Sequence, residues 1–310
     1  MANIVDKALE KVPGIEKPQT IIDNALQRVN AGSKKIPLRK DLPLADKKRK
    51  NEFTQIKLFS EAVNDYIEKY ISQFPTISML SPFSQELIDT MIGIDKLKVS
   101  LAQVRSITKR INSFKRDTKT FGTFLGRASS VINKAKPHLS FLHQARRTLR
   151  KLPLLKTLPT VCLFGFPNVG KTTLLAALTG AKAEIAAYEF TTKYLNLGTM
   201  TYDGYKVLQC IDTPGTLARP DKMNQIEKIA YTALNKAADV IVFIYDPTRD
   251  DEEQQRLLTI AKATKKPLLI YISKTDIAKK PTTIEGITDK EKLKEAIINE
   301  IKKAPPITNL

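Results

Sequence analysis

The residues best placed to do chemistry lie in the run Gly165-Phe-Pro-Asn-Val-Gly-Lys-Thr172, where two glycines bracket four residues and a lysine and a hydroxyl follow. A glycine-bounded loop lets consecutive backbone N–H groups, here those of Asn168, Val169, Gly170, Lys171, Thr172 and Thr173, curl round a phosphate at a helix N-terminus. Lys171 then reaches the β- and γ-phosphates as a point charge, and the Thr172 hydroxyl ligates Mg²⁺. By itself this run could also be a strand, turn and helix with no ligand.

Three later stretches fit the same chemistry. Asp212-Thr-Pro-Gly215 follows an apolar run, which puts Asp212 near Mg²⁺ through water and the Gly215 N–H near the γ-phosphate. Phe190, Thr191 and Thr192 fall in a loop where a threonine closes over Mg²⁺ when γ-phosphate is present. Ser273-Lys274-Thr275-Asp276 ends another apolar run. There Asp276 accepts hydrogen bonds from guanine N1–H and the 2-amino group, while Lys274 covers the base with its aliphatic stem. Each motif is short; the four in order point to GTP or GDP with Mg²⁺.

The elements that must position these residues follow from periodicity. From residue 156 to 310 apolar runs alternate with helical patterns, which predicts strands near 160–165, 194–202, 205–212, 239–245 and 267–273. Helices are expected near 170–180, 221–237, 249–264 and 289–303. Asp203-Gly204 is a two-residue hairpin signal, so one pair of strands is antiparallel in an otherwise parallel sheet with helices on both faces.

Residues 1–155 read as helical throughout and predict a bundle. Expected helices run over 19–29, 46–74, from Ser81-Pro82 to Gly93, 95–116, 118–136 and 137–150, with an exposed Lys- and Pro-rich linker from Ser33 to Asp46. In the second of these, Phe53, Ile56, Phe59, Val63, Ile67, Tyr70 and Phe74 form the apolar face. Gly122 and Gly126, four apart, predict close helix–helix approach.

Charge separates the two halves. The chain carries +19 formally, and residues 1–150 hold 28 Lys/Arg against 14 Asp/Glu. Between Lys96 and Arg150 there are 14 basic residues and one acidic residue, Asp117. Leu97, Leu101, Val104, Ile107, Ile111 and Phe114 form a core seam on one helix. Lys98, Arg105, Lys109 and Arg116 make a basic stripe roughly 130° round it. The stripe implies phosphate-backbone and shape contacts to a structured RNA; a solvated or acidic-protein-docking face is the alternative. No apolar run approaches the length of a membrane span, and the N-terminus lacks a leader pattern, so a cytoplasmic protein with no membrane association, monomeric when free, is expected. Cys162 and Cys210 lie in apolar strand patterns and read as buried thiols in a reducing compartment.

With these residues in hand, the chain resembles the Obg-related branch of translation-factor-type GTPases, and more closely the nucleolar GTP-binding protein family of large-ribosomal-subunit assembly factors. The resemblance rests on Leu149-Arg-Lys-Leu-Pro153 leading into the phosphate loop, on Tyr188-Glu-Phe-Thr-Thr192, and on Asp212-Thr-Pro-Gly-Thr-Leu-Ala-Arg-Pro220. Asn224-Gln-Ile-Glu227, Asp246 with Gln254, Ser81-Pro-Phe-Ser-Gln-Glu-Leu-Ile-Asp89 and Gly93-Ile-Asp-Lys-Leu97 extend it over nearly the whole chain. It implies an N-terminal helix bundle followed by a P-loop GTPase domain, with Thr192 the threonine on Mg²⁺. It further implies a GTP-driven switch acting through ribosomal RNA on a pre-large-subunit particle. Rival readings are a non-switching RNA-binding scaffold with a structural nucleotide, and a GTPase regulating a protein complex unrelated to ribosomes.

Related GTPases hold K⁺ with an asparagine at the place of Asn168; here that residue either does so or only stabilises the loop turn. Ser273 stands where the family pattern has Asn. Thr216 stands where many GTPases carry a water-orienting glutamine, so a low intrinsic rate is expected. Beyond Asp276 there are 34 residues, which leaves room for a shortened base-flanking strand over Thr282 to Thr288. The missing C-terminal extension points to a short form of the family.

Overall fold

A computed structural model of the chain describes residues 6–33, 43–180, 184–186, 195–202, 205–216, 224–278 and 284–303. They fall into two compact units: residues 8–77 with 92–150, and residues 1–7 with 78–91 and 151–310.

The first unit is all helical. Its members are α1 (Pro18–Ser33), α2 (Leu44–Ser72), α4 (Ile94–Asp117), α5 (Phe121–Lys134) and α6 (Lys136–Leu149). Each is amphipathic, and the apolar faces meet in one core that includes Phe59, Ile67, Leu97, Ile107, Phe124 and Leu142, all essentially without solvent contact. Phe59 and Phe124 meet edge to face with centroids 5.9 Å apart, a geometry the ring quadrupoles favour.

Most of the predicted seam of α4 is buried, and Lys98, Arg105, Lys109 and Arg116 are all exposed. Two expectations fail here. Phe53 is 59% exposed rather than part of the α2 face, because the core closes only from Ile56 onward. Gly122 and Gly126 are exposed and a Cβ on either would meet nothing within 4 Å among the described residues, so they serve no close helix contact there.

The second unit is built on a six-stranded sheet of order β2-β3-β4-β1-β5-β6. Its strands are β1 (Thr160–Phe164), β2 (Glu184–Ala186), β3 (Leu195–Tyr202), β4 (Tyr205–Asp212), β5 (Val240–Tyr245) and β6 (Leu268–Ile272). β4, β1, β5 and β6 are parallel, whereas β3 pairs antiparallel with β4. The Asp203-Gly204 turn lies outside the described residues, but Tyr202 and Tyr205 on either side of it are paired. The three-residue β2 adds a second antiparallel pairing at the edge, which was not expected.

β1 and β5 are buried at every position, as parallel strands covered on both faces must be. The cover comes from α7 (Lys171–Thr179), α8 (Gln225–Thr232), α9 (Asp251–Ala263) and α10 (Lys290–Lys303). α8 starts on a reciprocal capping box between Asn224 and Glu227 and continues as a π turn through Ala233–Ala237. Of the proposed strand over Thr282 to Thr288, Ile287 forms a single parallel bridge to Tyr271, its N–H bonding Ile270 O and its carbonyl accepting from Ile272 N.

Helix α3 (Pro82–Met91) belongs to this unit although its sequence lies within the helical half. Phe83, Leu87 and Ile88 are buried to 1% or less, and α3 packs on α8 and its π turn. Buried Asp6 accepts from the Ser81 N–H at 3.0 Å, the Ser81 hydroxyl at 2.6 Å and the Ser84 hydroxyl at 2.8 Å, tying the start of the chain to the start of α3. A carboxylate holding three donors meets the cost of its own burial.

Candidate nucleotide and magnesium site

The phosphate loop leaves β1 and enters α7. Gly165 adopts φ +158, and a Cβ there would come 2.8 Å from the Ile244 carbonyl oxygen, so β5 leaves no room for a side chain. Gly170 has open space around it but adopts φ +97, the left-handed region that glycine tolerates. Asn168 also has positive φ, at 61°, and is exposed. Val169 contributes only backbone here, since its side chain is fully buried beneath the loop. The Lys171 ammonium is buried and donates to Phe166 O at 2.6 Å and Gly165 O at 3.2 Å, lying under the loop where it can meet a phosphate.

Asp212 ends β4 between Leu163 of β1 and Asn196 of β3, its direct neighbours in the two registers. Thr172 Oγ1 donates to Asp212 Oδ2 at 2.6 Å and Asn196 Nδ2 donates to the same oxygen at 2.9 Å. Asp212 Oδ1 is buried and has no hydrogen-bond partner among the described residues. Burial raises the Asp212 pKa; the bonds from Thr172 and Asn196 and the charge of Lys171 act against it but do not overcome it.

An orphaned carboxylate oxygen beside a threonine hydroxyl is an oxygen donor set suited to Mg²⁺. No group of three or more His, Cys, Asp or Glu that could hold a metal occurs among the described residues. Thr172 and Asp212 would therefore hold the ion together with phosphate oxygens and water, as Mg²⁺ sites on nucleotides do. The ion would neutralise phosphate charge.

Gly215 lies against the loop. A Cβ on it would be 2.4 Å from Pro167 Cα and 2.5 Å from Pro167 N. Thr213 is held by donation to Leu163 O from its hydroxyl at 2.7 Å and its N–H at 3.3 Å. The result is a cleft of about 480 Å³ whose lining includes Asn168, Lys171, Thr172, Asn196, Asp212 and Lys274, with Gly170, Thr173 and Gly215.

At the base end, Lys274 has φ 53 and its ammonium bonds Asp246 Oδ2 at 2.7 Å. Asp246 is fully buried and Thr248 donates to its Oδ1 from both N–H and hydroxyl. Buried Gln254 brackets the Asp246 backbone, accepting from its N–H and donating to its carbonyl. Burial alone would raise the Asp246 pKa, but the bonds from Lys274 and Thr248 outweigh it and hold the carboxyl below its usual range. Ser273 is buried, with its hydroxyl donating to Tyr245 O at 3.1 Å rather than toward the phosphate loop. Asp276 follows on an exposed turn outside the cleft lining. Phe190, Thr191 and Thr192 lie outside the described residues.

One contributor was missed in the sequence, and a second was given no role there. Asn196 orients Asp212, and only its place two residues before Gly198 in a strand leading from Thr192 hinted at it. Asp246 holds Lys274, and the resemblance alone had marked it.

A depressed folded pKa means that Asp246 contributes stability above the unfolded carboxyl pKa of about 3.9 and loses it as pH falls through the folded value. Asp246→Asn should therefore lower stability at pH 7 by about 2 kcal/mol, less than a fully buried pair because Lys274 can turn to water. The gap from wild type should narrow once pH falls below the unfolded value and through the lower folded one. Urea midpoints across that range measure it, and a gap independent of pH would mean the carboxylate charge is irrelevant.

Residues 160–274 match the family model described as 50S ribosome-binding GTPase, and residues 9–155 match the NOG1 N-terminal helical domain. An uncharacterised protein of Methanocaldococcus jannaschii is 35% identical over 86% of this chain and 81% of its own. Nucleolar GTP-binding protein 1 of Kluyveromyces lactis is 31% identical over 73% of this chain, and that of Saccharomyces cerevisiae 29% over 72%. The chain spans 38% of each of these two longer relatives. A GTPase domain implies binding of GTP or GDP, with Mg²⁺ typical. Among the described residues no helix is long and apolar enough to cross a membrane. A phosphate cleft closed by Asp212 and Gly215, joined in one chain to a helical domain of the matching type, places this protein in the nucleolar GTP-binding protein family.

Proposed function

We propose that the chain hydrolyses GTP and uses the nucleotide to switch how its helical half holds ribosomal RNA on a pre-large-subunit particle. The carrying observation is electrostatic. None of the 14 Lys and Arg residues between Lys96 and Arg150 forms an ion pair among the described residues, and most are exposed. Cations left without acidic partners among the described residues of one unit suit a polyanion. The likeness of residues 160–274 to 50S ribosome-binding GTPases supports the choice of RNA. On the nucleotide side, Gly215 at the phosphate loop is where γ-phosphate would be sensed, and Asp276 would read guanine.

The test is binding of the full chain to a structured ribosomal RNA fragment with GDP and with a non-hydrolysable GTP analogue. Affinity should differ between the two, and log K against log salt should slope by about −3 to −5 if four to six basic residues, those of the stripe and its neighbours, touch phosphates. Arg105→Glu with Lys109→Glu should weaken binding evenly across sequences. Affinity blind to nucleotide would leave the non-switching scaffold, and a slope near zero would favour a solvated or protein-docking face.

Turnover by the chain alone should be slow, about 10⁻⁴–10⁻² s⁻¹. Thr216 is fully buried, with its hydroxyl unpartnered among the described residues, and is too short to orient an attacking water. K⁺ held by Asn168 would supply the charge an arginine finger otherwise brings. Hydrolysis should then rise several-fold when K⁺ replaces Na⁺ at constant ionic strength. Because φ at Asn168 is 61°, glycine removes the side chain without straining the loop, whereas alanine would add about 1–2 kcal/mol of strain. Asn168→Gly should abolish the K⁺ effect and keep GTP binding; equal rates in both salts for wild type would leave Asn168 as a turn residue only.

A further inference from the structure

A shallow groove crosses α6 in the helical unit, apart from the α4 stripe. It consists of two hollows of about 350 and 640 Å³ on either flank of a ridge formed by Ser140 and Gln144, one helical turn apart, which line both. Phe141, His138 and Val99 line the first, Val99 being 54% exposed, and the Lys96 ammonium stands 4.7 Å from the Phe141 ring centroid. His143, Asn133 and Gln19 line the second, with Lys17 and Lys136 beside them.

We infer that this groove binds an unpaired stretch of RNA, with one base in each hollow and the connecting phosphates on Lys96, Lys136 and Lys17. The inference deepens the RNA reading above and rests on it. A half-buried aromatic ring with a cation over its face is a stacking platform: a base takes the ring, and the flexible ammonium moves to the phosphate. Asn133 and Gln144 each offer a donor and an acceptor, the pair of functions a base edge requires. Both histidines of the chain, His138 and His143, line this groove and add planar rings. The hollows have the size of small-ligand sites.

Glu16 is the acidic residue among those lining the two hollows, so the charge favours a polyanion. An acidic peptide would use the lysines but would leave the ring and the amides idle. Base contacts here differ from the α4 stripe, whose residues can meet only phosphate and shape.

The test compares single-stranded and duplex RNAs of equal length, binding to the full chain at one salt concentration. Phe141→Ala should weaken single-stranded RNA by about 5- to 100-fold, the range for one lost base stack, and leave duplex within about twofold. Phe141→Tyr should restore wild-type affinity. If the alanine variant loses helicity, a 4-thiouridine RNA cross-linked to the wild-type chain decides instead, with adducts expected on the peptide carrying residues 137–144.

Unchanged single-strand affinity, an equal loss on both RNAs, or adducts elsewhere would overturn the groove while leaving RNA binding intact. Polyglutamate bound through Phe141, without competition from single-stranded RNA, would overturn it in favour of an acidic partner. Failure of wild type to bind either RNA would remove the RNA reading and the groove together.

Discussion

Lys171→Ala should lower the affinity for both GDP and GTP by on the order of 100- to 1,000-fold, about 3–4 kcal/mol, with little loss of fold. Lys171 is 6% exposed and lies beneath the phosphate loop, so its attraction to a phosphate is little diluted by water. In the structure it donates to the carbonyls of Gly165 and Phe166, and those bonds fix its direction along the cleft. Alanine would remove the charge and leave two carbonyls facing the phosphates, which adds repulsion to the lost attraction. A fluorescent GDP titration, with circular dichroism as the control for folding, measures the effect. Affinity within tenfold of wild type would sink the assignment of this loop as the phosphate cradle.

Gly215→Ala should separate the two nucleotides instead of losing both. The added methyl would stand 2.4 Å from Pro167 Cα, and backbone cannot yield as the end of a flexible side chain can. Residues 213–216 must therefore lift from the phosphate loop, while Lys171 and Gly170, which would hold the β-phosphate of either nucleotide, are untouched. GDP affinity should stay within a few-fold, whereas affinity for a non-hydrolysable GTP analogue should fall by at least tenfold, or about 1.4 kcal/mol. Hydrolysis should drop with it. The cause is room, since Gly215 shows no positive φ, in contrast to Gly170, where space is open and the dihedral alone excludes a side chain. Equal losses for GDP and the analogue would show that Gly215 supports the loop without sensing γ-phosphate.

Much of the site was legible before any coordinates because its chemistry is local in the chain. A phosphate loop must carry Gly165, Gly170, Lys171 and Thr172 at fixed spacing, since the same few backbone N–H groups surround the phosphates and the lysine leaves the first turn of the helix. Asp212 and Lys274, which the structure brings to one cleft, could be singled out because each follows an apolar run, and strands of a parallel sheet end at one edge. The seam of α4 was legible for a similar reason, as Leu97, Val104, Ile107 and Ile111 share one face by the helical period alone.

Only the tertiary structure decided which partners those residues meet. Ser81-Pro82 and Gly93 marked where α3 starts and stops, but not that its apolar face would pack on α8, because burial has no direction along the chain. Likewise the period placed Phe53 in line with Ile56 without revealing that the core ends between them. Gly122 and Gly126 had a spacing that permits close approach, yet a Cβ on either would meet nothing within 4 Å among the described residues. Asn196 reaches Asp212 through the antiparallel register of β3 on β4, and a shift of one residue would have turned it to the other face of the sheet. Asp246 meets Lys274 because β5 and β6 are neighbours ending side by side, and Lys96 meets Phe141 because α4 packs on α6. Spacing determines what one element presents; which elements face each other is settled by how the whole apolar surface is buried at once, and that sum is not written in any single stretch.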